Sequence, residues 1–133
     1  MRPNPLGYGI WVFRLGAISN WLVAIGGFIS PTTVADVAQI APPNYPFLVR
    51  IWTGMVIMFG FMFWEISRDI VGKRSLIKYA WIEKCVTSFA VTLGFLTGDV
   101  PGIIFVLILF TDYLWIPLFI YFDKKAQRLA LIG

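Results

Sequence analysis

Four long runs of the chain are almost free of charge, and short polar or proline-bearing breaks separate them, at about 8–29, 47–67, 77–97 and 102–122. Each is long enough to cross a hydrocarbon core about 30 Å thick, which takes roughly 20 helical residues. Apolar residues lie all round within the runs and do not alternate strictly. The pattern therefore predicts membrane-spanning helices rather than barrel strands. Nothing divides the chain further, so residues 1–133 read as one transmembrane domain.

The breaks carry their own signals. Ser30 followed by Pro31 reads as an N-cap with proline at the first helical position. Val34, Val37 and Ile40 then recur at helical spacing, which predicts a short interfacial helix between the first two spans. Pro42, Pro43 and Pro46 end it. Only residues 97–100 separate the third run from Pro101, so the last two spans form an antiparallel hairpin. Pro117 removes a backbone donor inside the fourth run and is expected to kink it.

Charge orients the bundle. Arg2, the break at Arg68, Lys73, Arg74 and Lys78, and the tail at Lys124, Lys125 and Arg128 together hold eight basic residues. The other two breaks hold Asp36 and Asp99 and no basic residue, although Arg50 lies just inside the second span. The asymmetry predicts an all-α membrane protein of four transmembrane helices, N-in/C-in, with both termini cytoplasmic. Trp11, Trp64, Trp81 and Tyr121 then fall near the inner boundary, and Tyr45 and Trp52 near the outer, as an aromatic belt requires. The charged start precedes an apolar stretch too long for a cleavable signal peptide, and no small-residue cleavage site closes it.

Composition agrees and excludes several function classes. Hydrophobic residues make up 59%, charged residues 14%, and mean hydropathy is +0.79, whereas soluble domains run at about 45–50% and about 25%. The lipid bilayer is the first partner. The net charge of +4 sits in clusters beside the apolar runs, which suits anionic lipid heads. A nucleic-acid partner is not expected, since that needs a basic stripe on an exposed element. Cys85 is the single cysteine, so no intramolecular disulfide and no paired-cysteine redox chemistry is available. With no histidine, the usual axial ligand of haem and the commonest ligand of zinc, copper and non-haem iron is missing. No metal site and no cofactor held by side-chain ligation is expected, which leaves a lipid or quinone held among Trp and Phe side chains. No nucleotide-binding loop, GxSxG elbow or HExxH is present, and no catalytic residue is assigned.

The chemistry that remains lies inside the spans, where ionisable groups are costly and face the bundle interior. Asp112, Asn20 with Ser19, and Ser88 with Thr87 fall near the middle of the fourth, first and third spans. About one turn nearer the cytoplasm lie Arg14, Glu83 and Lys84, with Glu65 lower. The candidate intramembrane cluster is therefore Arg14, Asn20, Glu83, Lys84 and Asp112. One reading makes it a polar chamber in which Asp112 exchanges a proton or cation, with Lys84 and Arg14 as its counter-charges. Another makes it an ion-pair network that fixes how the helices pack. A third has Asp112 contact another subunit. Gly94 and Gly98 form a GxxxG pair expected to pack helices closely, and Gly16, Asn20, Val23 and Gly27 form a slim ridge on the first span.

Arg14 with Gly16, Gly26 with Gly27, Pro31, and then Arg50, Gly54 and Gly60 ahead of a basic turn form a pattern that resembles the DoxX-like membrane proteins. The resemblance covers most of the chain and implies a four-helix fold. Some members of that family are linked to quinone-coupled sulfur oxidation, but no catalytic motif is there to carry over. The leading functional expectation is a structural or accessory subunit of a larger membrane complex, respiratory or photosynthetic, with no redox centre of its own. It would sit among other membrane subunits in a bacterial inner membrane. The alternatives are a small transporter or ligand-binding protein centred on Asp112, and a DoxX-like partner in quinone-linked redox chemistry.

Overall fold

The computed structural model describes residues 6–38 and 40–132, and every regular element among them is helical. Arg2, whose charge enters the orientation argument, lies outside the described residues. In chain order the elements are α1 (Gly7–Ile29), α2 (Pro31–Val37), α3 (Pro46–Arg68), α4 (Arg74–Thr97) and α5 (Gly102–Ile108). A π-helical segment, Leu109–Tyr113, then leads into α6 (Trp115–Ile132). Among the described residues, three stretches are long and apolar enough to cross a membrane: α1, α3 and the continuous Gly102–Ile132. The run expected at 77–97 is also a helix, α4, of 24 residues. Its basic first turn and the adjacent Glu83 and Lys84 leave it less apolar than the other three.

The long helices run up and down. Asn20 of α1 reaches Val56 of α3 while Gly27 of α1 meets Thr53, an antiparallel register. Likewise Trp81 of α4 bonds Asp123 while Phe95 stacks on Phe105. Contacts are densest between α1 and α3 and between α4 and α6, and sparser between α3 and α4. Gly27 of the slim ridge helps to explain the tight first pair, since a Cβ there would come within 2.8 Å of Thr53 Cγ2 on α3. Gly16 makes room for α6 instead, since a Cβ there would come within 2.9 Å of Phe119 Cζ. Because lipid tails are as apolar as Leu, such close packing rather than hydrophobic burial drives association in a bilayer.

The core sits where the start of α1, the end of α3, the start of α4 and the first two-thirds of α6 meet. Phe13 stacks on Phe119 at 4.9 Å, and Phe63 meets Phe119 edge-on at 5.0 Å. Hydropathy falls after 122, yet α6 continues to Ile132, because buried Phe122 and Ala126, followed by Leu129, keep one face on this core.

Two expectations change. Gly94 and Gly98 do not form a helix-packing face. Gly98 adopts φ +83°, and the Asp99 and Gly98 N–H groups donate to the carbonyls of Gly94 (2.8 Å) and Phe95 (3.2 Å). This is a Schellman termination, in which the left-handed residue must lack a Cβ. A Cβ on Gly98 would meet nothing, whereas one on Gly94 would lie 2.6 Å from Val100 of the same turn. Both glycines therefore serve the hairpin, not a neighbouring helix. Pro117 acts one turn early. The carbonyl it cannot serve is that of Tyr113, four residues back, and Tyr113 closes the π segment.

Candidate functional site

Four of the five candidate side chains converge. Lys84 lies on the buried face of α4, a turn away from buried Ala80 and Ser88, and is only 2% exposed. Its ammonium donates to Asn20 Oδ1 at 2.6 Å, forms an ion pair with Asp112 Oδ1 at 2.8 Å, and lies 5.6 Å from the centre of the Phe63 ring. Asn20 comes from α1, whose buried positions (Phe13, Gly16, Ala17, Asn20, Ala24, Gly27) repeat every three or four residues. With Oδ1 engaged by lysine, its Nδ2 donates to the Val56 carbonyl at 3.2 Å. One amide thus ties α1, α3 and α4 together.

Asp112 is supplied by the π segment. A π turn widens the helix locally and re-aims its side chains. Asp112 is the buried residue of this one. Its second oxygen, Oδ2, accepts from Thr111 Oγ1 at 3.0 Å; that hydroxyl also lies 3.0 Å from the Leu107 carbonyl. Thr111 and the Val56 carbonyl were missed from the sequence. A hydroxyl directly preceding the only acid of the fourth run was the available signal for Thr111, whereas nothing in a sequence marks a backbone carbonyl.

Glu83 completes the group in a different way. Its side chain is 8% exposed, and Oε2 approaches the Lys84 ammonium at 3.5 Å without hydrogen-bond geometry. That oxygen is buried with no hydrogen-bond partner, as is Ser88 Oγ nearby on α4. The site therefore holds two carboxylates and one ammonium. Beside them is a void of about 20 Å³ lined by Asn20, Glu83, Lys84, Thr87, Thr111 and Asp112. That is room for a single water, in a setting polar enough to hold one. Glu83 and Thr87 also line a larger cleft of about 450 Å³ between α3 and α4.

Arg14 does not join the cluster. Six residues before Asn20, it points about 120° away around α1. Its guanidinium packs against Trp11 and Trp64, 5.5 and 5.3 Å from the ring centres. Glu65 is likewise apart, paired with Lys73 and with Arg68 at 3.1 Å where α3 ends. Among the described residues no three His, Cys, Asp or Glu side chains converge as metal ligands. Comparison of the chain with protein-family models, with curated proteins and with solved structures gives no match. The geometry alone speaks for the site.

Proposed function

We propose that the chain is a four-span integral membrane protein whose buried centre of Asn20, Glu83, Lys84 and Asp112 binds a small ligand drawn from the bilayer. One observation carries this reading: a charged centre that is incomplete. Networks that only pin helices together are satisfied, because an unpaired buried polar atom is costly. Here one Glu83 oxygen has no hydrogen-bond partner, and the Glu83 side chain borders both the small void and the larger cleft between α3 and α4. An unsatisfied buried acid beside a space is what a binding centre leaves for its ligand to complete.

The same centre supports α4 as the fourth span. Its lysine is neutralised within the bundle, so the charge that lowers its apolarity does not meet lipid. Both termini are cytoplasmic in this reading. Lys73, Arg74, Lys78, Lys124, Lys125 and Arg128 gather at one end of the bundle, while Asp36 and Asp99 occupy the other. A bacterial inner membrane fits that asymmetry.

The test is purification in mild detergent followed by native mass spectrometry. A chain that carries a small molecule, lost in Asp112→Asn while helix content and monodispersity hold, supports the proposal. A stoichiometric larger assembly in which this chain carries no small molecule overturns it in favour of an accessory subunit.

A further inference from the structure

The cleft between α3 and α4 has a shape and a charge that together name an occupant. Its walls are Trp52, Phe59 and Val56 of α3 and Tyr79, Val86 and Ala90 of α4, almost wholly apolar. Trp52, Tyr79 and Val86 are exposed, so the cleft opens to the surface that faces lipid. Its volume of about 450 Å³ lies within the range of small-molecule sites. At its inner wall stands Glu83, a buried carboxylate with one oxygen unpartnered.

Charge selects among amphiphiles. Lys84 is committed to Asn20 and Asp112 at 2.6 and 2.8 Å, and its 3.5 Å approach to Glu83 makes no hydrogen bond. Glu83 is also the one acid in the wall of the cleft, and its nearest cation leaves it without a hydrogen bond. An anionic head would face two carboxylates. A neutral hydroxyl would supply the donor but not the charge. A protonated amine supplies both, and the rings of Trp52 and Tyr79 can receive a cation on its way in.

We propose that this cleft holds the alkyl chain of a lipophilic amine whose ammonium is bound by Glu83. The assignment rests on the reading of the buried centre as a binding site and names the ligand class it takes.

The experiment uses the full chain in phosphatidylcholine nanodiscs, with dodecylamine, dodecanol and dodecanoic acid as probes at neutral pH. Binding is read by calorimetry and by native mass spectrometry. Dodecylamine should bind saturably, about tenfold or more tighter than dodecanol, with dodecanoic acid weakest. Glu83→Gln should remove that preference. Ala90→Trp, on the exposed side of the cleft, should block all binding. If Glu83→Gln does not fold, the amine-over-alcohol preference of the unaltered chain and its loss in Ala90→Trp still decide. Equal binding of amine and alcohol, both blocked by Ala90→Trp, overturns the amine assignment and leaves the binding-site reading standing. No saturable dodecylamine binding overturns the proposal for the cleft; whether the native chain carries any small molecule then judges the reading beneath it.

Discussion

Replacing Lys84 by Met keeps the length of the side chain and removes its charge. In the native bundle that ammonium is 2% exposed and is the sole cation in contact with Glu83 and Asp112 among the described residues. Lys84→Met therefore strands two buried carboxylates and frees Asn20 Oδ1. Removing one partner of a buried ion pair costs roughly 3–5 kcal/mol. Asp112→Asn is milder, because Lys84 keeps Asn20 and has Glu83 within 3.5 Å to turn to. Its cost should be roughly 1–3 kcal/mol, that of one impaired hydrogen-bonded charge. A neutral interhelical hydrogen bond in lipid is worth only about 0.6 kcal/mol, so the larger figure would mark stranded charge rather than a lost bond. The double variant should cost less than the sum of the two, with a coupling of about 1 kcal/mol or more. Detergent unfolding followed by circular dichroism, on all three variants and the parent, measures the cycle. The reasoning fails if Lys84→Met costs under about 1 kcal/mol, or if Asp112→Asn is the more damaging change.

Three further substitutions test other parts of the structure. Gly98→Ala has open space for its Cβ and only the positive φ to oppose it. It should lower stability by about 1–2 kcal/mol without changing oligomeric state in size-exclusion chromatography with light scattering. Gly60→Ala places a methyl where the Trp21 indole rests, and should lose about 1–3 kcal/mol in thermal unfolding with a shift in tryptophan emission. Arg14→Met removes the contacts with Trp11 and Trp64 at a cost of roughly 0.5–1 kcal/mol each. It should leave ligand occupancy in native mass spectrometry unchanged, since Arg14 stands outside the centre.

The legibility of this protein follows from the range of the forces involved. Hydropathy acts over a whole run, so helix type and most approximate ends could be read without coordinates; the end of α6 could not, because packing on the core carries it about ten residues past the apolar run, to Ile132. The breaks at Ser30, Pro31 and Pro101 could be read as well, because backbone chemistry there is local. The slim ridge of α1 was also visible, and Gly16, Asn20 and Gly27 do meet other helices. The GxxxG at Gly94 and Gly98 shows the limit of such patterns. The same spacing suits a helix interface and a helix end, and only the φ of Gly98 separates them.

Depth along a helix can be counted from the sequence, and that count placed Asn20, Lys84 and Asp112 in reach of one another. Azimuth cannot be counted in the same way, since it depends on which neighbour each face meets. That is why Arg14, at a compatible depth, turns out to stack on tryptophans. It is also why the π segment, which brings Asp112 to Lys84, could not be placed from Pro117 alone. The sequence by itself determined an all-helical chain built for lipid, with its few buried charges near one level. Tertiary structure alone decided which charges pair, which carboxylate oxygen is left without a bond, and where the cleft beside it opens. Those depend on the rotation and spacing of packed helices, which are properties of the neighbours and not of any one segment.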